Sequence, residues 1–136
     1  MAALIYLADP ENGSKPSPVV PSILLDSGGE YWFLYRYFES ANLDRRTELI
    51  DLYGGAVIEG YQLHRLQTEL ELALEDTKRK PESWNVLVGW SSEKPSVETE
   101  DWQPVTKTAM LSLIASLLEM VRHSATSGLK LMSSGD

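Results

Sequence analysis

Cysteine is absent from these 136 residues, histidine occurs only twice, and the 12 basic side chains are outnumbered by 20 acidic ones. Without cysteine there can be no disulfide, no thiolate nucleophile and no thiolate metal site, so the fold must stand on its apolar core. With only His64 and His123, a nucleophile–base pair or a zinc site has almost nothing to be built from. The net charge of −8 removes the basic footprint that nucleic acid or an anionic membrane surface would require. No apolar run approaches the roughly 18 residues of a membrane span, and Met1–Ala8 lacks the basic leader and cleavage pattern of a signal peptide. These absences exclude most catalytic chemistry and predict a cytoplasmic protein without cofactor or metal, and not an enzyme.

What is present fits one domain over residues 1–136, with 43% apolar and 24% charged residues. Leu4–Ala8 reads as a buried strand, and the stretch from Asp9 to Pro18, with three prolines and Asn12-Gly13, as a loop. Ile23-Leu24-Leu25 and the aromatic run Tyr31–Phe38, separated by Gly28-Gly29, read as the two arms of a β-hairpin. A helix is expected over about Leu43–Tyr53, capped by Asn42 and closed by Gly54-Gly55.

From Tyr61 the pattern is helical: Leu63, Leu66, Leu70, Ala73 and Leu74 share one face, and Glu69, Glu71, Glu75 and Asp76 lie away from it. Lys78-Arg79-Lys80 suits the negative end of that helix, and Pro81 stops it. Trp84–Trp90 reads as a strand with Trp84, Val86, Val88 and Trp90 on one face, followed by a polar loop from Ser91 to Gln103. Thr106 then caps a last amphipathic helix, Gly128 ends it, and Leu129–Met132 reads as a short edge strand. The order predicts an α+β fold: a small, mostly antiparallel sheet with an early β-hairpin, and two or three helices packed on one face.

The chemistry tests come out negative. His64 sits on the polar side of its helix, and His123 near a helix end where an imidazolium complements the dipole. Gly28-Gly29 and Gly54-Gly55 extend to no phosphate-binding motif, and no acidic segment has calcium-loop spacing. The remaining signal is acidic and aromatic. Glu98, Glu100, Asp101 and Trp102 form the first candidate contact; the alternative is that Trp102 tucks under its loop to close the core. The helix acids Glu69, Glu71, Glu75 and Asp76 form the second; the alternative, which the residues favour, is an ordinary solvated face.

Pro81-Glu82-Ser83-Trp84-Asn85-Val86-Leu87-Val88-Gly89-Trp90, and again Gly128 to Asp136, resemble a group of small bacterial proteins of unassigned role. In being small, acidic, cysteine-free and α+β, the chain also resembles bacterial immunity proteins of toxin systems, including contact-dependent growth inhibition. That resemblance implies a protein-binding inhibitor whose partner is a basic protein, a toxin domain covered at its active site or substrate groove, with no direct contact to nucleic acid or membrane. It carries over no site residue. A phage-type inhibitor imitating phosphates, a small ligand-binding domain with a pocket along Tyr31–Phe38, and a homodimer subunit stay open beside it.

Overall fold

The computed structural model describes residues 2–9, 15–43, 49–50, 54–94 and 97–135, the side chains of 90–94, 97 and 98 excepted. In chain order these form β1 (Ala2–Asp9), β2 (Lys15–Pro16), β3 (Ile23–Asp26), α1 (Gly29–Ala41), β4 (Gly55–Ile58), α2 (Gly60–Lys78), β5 (Ser83–Lys94), β6 (Val97–Thr106), α3 (Lys107–Ser127) and β7 (Lys130–Gly135). The fold is α+β, as expected.

β1 runs through the middle of a five-stranded sheet in which every pairing is antiparallel. One edge of β1 holds β3 along its first half and β2 at its end; the other edge holds β7, which β4 follows. Residues alternate across the pleat, so Ala3, Ile5, Leu7, Leu25, Ile58 and Leu131 share one face, and all are buried. α1 and α3 touch that side, and α2 packs against both of them.

The early hairpin exists, but β1 makes it with β2 and then pairs with β3. The expected second arm, Tyr31–Phe38, is helix α1 instead. Its aromatic residues favour strands by propensity, yet Tyr31, Leu34, Phe38 and Ala41 recur at helical spacing and are buried together with Phe33 and Tyr37. Trp32, Arg36 and Glu39 fall between them. Gly28-Gly29 therefore starts a helix and does not turn a hairpin. The expected helix over Leu43–Tyr53 falls mostly outside the described residues, although Leu49 and Ile50 are buried and the Ile50 carbonyl accepts the Tyr31 hydroxyl at 2.9 Å.

α2 and α3 follow their sequence patterns. Leu63, Leu66, Leu70 and Ala73 are buried along α2, and Met110, Ile114, Leu117, Leu118 and Val121 along α3. Thr106 caps α3 by accepting the Ala109 N–H at 3.2 Å, and Gly128 closes it with φ of 75°, a left-handed conformation that costs glycine nothing. The basic triplet has local duties. Lys78 pairs with Glu75 at 3.1 Å, and Lys80 lies over the Trp84 and Phe33 rings.

Two further expectations are corrected. The segment read as a polar loop, Ser91–Gln103, is the outer part of a two-stranded ribbon: β5 extends to Lys94 and β6 begins at Val97. A ribbon outside the main sheet need not bury either face along its whole length, so a polar composition does not exclude strand. β7, read as an edge, lies between β1 and β4. Its serines misled; Ser133 is 2% exposed and stands between Ile5 and Ala56.

Candidate partner-binding surface

The β5–β6 ribbon is fastened to the body at its base. Trp84 packs edge-on against Phe33 at 5.3 Å between centroids, Val105 is buried, and Gln103 Oε1 accepts the Gly29 N–H at the start of α1. These residues hold position 102 where β6 leaves the core.

From there the strand period sets the surface. Trp102 stands opposite Leu87, Glu100 opposite Trp90 and Glu98 opposite Ser92, so 98, 100 and 102 share one side of β6. Trp102 does not tuck under the ribbon; it is 53% exposed, and its indole N–H donates to Glu100 Oε2 at 3.0 Å. That bond orders the carboxylate beside the ring and leaves the ring face open. Asp101 is exposed and takes the alternate side, that of Gln103 and Val105. The side chain of Glu98 lies outside the described ones. A register shift between Leu87 and Gly89 interrupts the expected alternation of Trp84, Val86, Val88 and Trp90.

The four acids of α2 separate into two sets. Glu71 and Glu75 are exposed; Glu71 accepts from Gln67 and Glu75 pairs with Lys78. Glu69 lies 3.7 Å from Arg65, whose guanidinium also donates to the Ser40 carbonyl at the end of α1. Asp76 accepts the Tyr37 hydroxyl, which in turn accepts from Arg36 at 2.6 Å. Burial of Tyr37, reinforced by the bond to Asp76, raises its phenol above the usual value, with Arg36 pulling the other way. Glu69 and Asp76 thus belong to the α1–α2 seam, Asp76 with its side chain still 41% exposed, and Glu71 and Glu75 lie clear of it on the surface.

The pocket sought along Tyr31–Phe38 is filled. The rings of Tyr31, Trp32, Tyr35 and Phe38 pack on one another at 5.1–6.3 Å, leaving a hollow of about 30 Å³ beside Tyr35 and Phe38. A larger open cleft of about 390 Å³ lies where the start of α2, the end of α3 and β7 meet, lined by Glu59, Leu63, His64, Gln67, Ser124 and Lys130 among others. The sequence reading missed it because its lining comes from segments more than 50 residues apart. His64 is exposed at its rim, and no serine accepts or donates to it in the hydrogen bonds described; its own carbonyl accepts from Thr68. Among the described residues no three His, Asp or Glu side chains come together as a metal site, and no helix is long and apolar enough to cross a membrane.

No protein-family model matches the chain, and neither the curated proteins nor the solved structures give a significant match.

Proposed function

We propose that this protein is a stoichiometric protein-binding inhibitor of the immunity type, which neutralises a bacterial toxin in the cytoplasm by covering its active site or substrate groove. The observation that carries this reading is Trp102: a large ring left 53% exposed on a two-stranded ribbon, with Glu100 hydrogen-bonded beside it. Tryptophan is the residue type most enriched at the centres of protein interfaces, and acids flanking it steer a basic partner and fix its approach. The ribbon supplies a reason for a partner as well. Two strands alone are marginal in water, and this ribbon stands outside the five-stranded sheet. The inhibitor acts by occlusion, which requires neither nucleophile nor metal. Glu71 and Glu75 add a second, smaller acidic contribution.

The test is recovery of the partner with the full chain as bait, followed by association kinetics with the toxin domain it captures. Charge reversal at Glu100 and Asp101 slows association at least severalfold at low salt, and the difference shrinks as salt is raised. Recovery of no basic protein, or kinetics indifferent to these charges, overturns the reading.

A second reading has one observation in its favour. The 390 Å³ cleft at Glu59, Leu63, His64 and Lys130 falls within the size range of small-molecule sites. Under that reading a metabolite raises the melting temperature, and a ribbon variant such as Trp102→Ala leaves the rise intact.

A further inference from the structure

The 390 Å³ cleft between the start of α2 and the end of α3 carries two formal charges of opposite sign, Lys130 and Glu59, with Nζ and Oε2 3.8 Å apart. That separation exceeds the roughly 2.7–2.9 Å of a charge-assisted hydrogen bond, and the side chains are 48% and 63% exposed. Each charge therefore keeps most of its bonding capacity. Glu59 stands at the N-cap of α2, yet its carboxylate accepts nothing from the first turn of that helix. The neighbouring polar side chains are engaged elsewhere. Ser124 donates to the Leu129 carbonyl at 2.7 Å, Gln67 donates to Glu71 at 3.2 Å, and His64 lies against the Tyr61 ring. Orienting a ligand in this cleft falls to Lys130 and Glu59.

The backbone leaves room for one. Gly60 and Gly128, with φ of 62° and 75°, both line the cleft, and a Cβ on either would meet nothing within 4 Å. Leu63 and Leu129 add apolar lining, both packed with the core. We propose that this cleft binds a free α-amino acid with an apolar side chain. Its carboxylate pairs with Lys130, its ammonium with Glu59, and its side chain lies along Leu63 and Leu129. The proposal rests on the reading of the cleft as a small-molecule site, and is independent of the ribbon.

The charges select this class. A lone anion at Lys130 would be repelled by Glu59 and by a chain of net charge −8; a lone cation at Glu59 would face Lys130. A zwitterion instead replaces one loose ion pair by two. Standard N–Cα and Cα–C bonds put the ammonium nitrogen and carboxylate carbon of an α-amino acid about 2.5 Å apart. Laid beside the 3.8 Å gap, such a molecule sets each of its charges against the opposite one. Both protein charges are half in water, where ion pairs contribute little, so binding is weak, with Kd on the order of 1 mM.

Isothermal titration of the full chain with leucine, leucinamide and 4-methylpentanoate tests this. The three share one side chain and carry both charges, the ammonium alone and the carboxylate alone. Leucine binds at least tenfold more tightly than either analogue. Glu59→Gln removes its advantage over 4-methylpentanoate, and Lys130→Gln its advantage over leucinamide; a merely structural role for the pair would weaken all three alike. Both positions are exposed, so the variants fold. Ala125→Trp, at an exposed position on the cleft wall, abolishes leucine binding and leaves the melting temperature of the free chain unchanged. No heat with leucine, equal affinity for the three molecules, or leucine binding that survives Ala125→Trp each overturns the proposal. Where leucine fails but another metabolite raises the melting temperature of the wild type and not of Ala125→Trp, the amino-acid assignment falls and the cleft remains a ligand site.

Discussion

Val105 Cγ1 stands 2.8 Å from the point where a Cβ on Gly29 would lie, and Gln103, on the same side of the same strand, accepts the Gly29 N–H at 3.2 Å. The start of α1 and the base of the ribbon therefore meet through a residue that has no room for a side chain. Val105 is buried and stiff at χ1, so it cannot swing aside. Gly29→Ala should destabilise the protein by about 1–3 kcal/mol through overpacking. A lower urea midpoint with an unchanged slope shows this; an unchanged midpoint refutes the close fit.

Trp84 and Trp102 lie on the same ribbon and should behave oppositely. Trp84 packs against Phe33 beneath Lys80, whereas Trp102 is half in water. Trp84→Ala should cost about 3 kcal/mol or more in stability. Trp102→Ala should stay within about 0.5 kcal/mol in stability while weakening the captured partner's binding by about 2 kcal/mol, close to thirtyfold. Paired denaturation and binding titrations separate the two effects. Loss of stability at Trp102 equal to that at Trp84 would make it a core residue.

How far these features could be read in advance depended on which period dominated each segment. In α2 and α3 the apolar residues fall on one stripe and the termini carry matching signals, Thr106 and Gly128 for α3, so propensity and burial agree. In Tyr31–Phe38 they conflict. Every residue there but Leu34 and Arg36 is aromatic, a composition that suits a strand, and only tertiary packing selects the helix. The ribbon was hidden for a different reason: Glu98, Thr99, Glu100 and Asp101 have no apolar partner in the sequence to alternate with, because that part of β6 does not cover the core. Trp102 and the acids were legible as a contact, but the pairing of Trp102 with Glu100 follows from a two-residue strand period that a loop would not have. The acids of α2 were grouped by their place away from the apolar face. What separates them is α1, whose Tyr37 and Ser40 draw Asp76 and Arg65 inward.

The ends of α3 give a pair of independent stability tests. Thr106→Ala removes the oxygen that accepts the Ala109 N–H and should cost about 1 kcal/mol. Gly128→Ala forces a Cβ into φ of 75°, and should cost about 1–2 kcal/mol although no atom lies within 4 Å of the new methyl. The first loss comes from a missing hydrogen bond and the second from backbone strain alone. The sites are a helix length apart, so the double variant should lose the sum within about 0.5 kcal/mol. A clearly smaller combined loss would mean that the two ends do not act independently.

The Tyr37–Asp76 contact predicts an alkaline limit. Tyr37 holds its proton above the usual phenol value, first because it is buried and then because it donates to Asp76. Below about pH 10 the phenol is neutral in folded and unfolded chains alike, and its contribution to stability is fully present. As pH rises past that value the unfolded chain releases its proton while the folded chain keeps it. The folded state then binds more protons, and stability falls until the native phenol ionises in turn. Arg36 lies on the exposed side of the contact and only moderates this, since water screens its charge. Urea midpoints from about pH 8 to about pH 11 should therefore decline more steeply for the wild-type chain than for Tyr37→Phe, with the two curves converging at the alkaline end. Asp76→Asn should lessen the steepness without abolishing it, because burial is the larger cause. Parallel curves for the wild type and Tyr37→Phe would show that the phenol titrates normally and that the seam between α1 and α2 does not protect it.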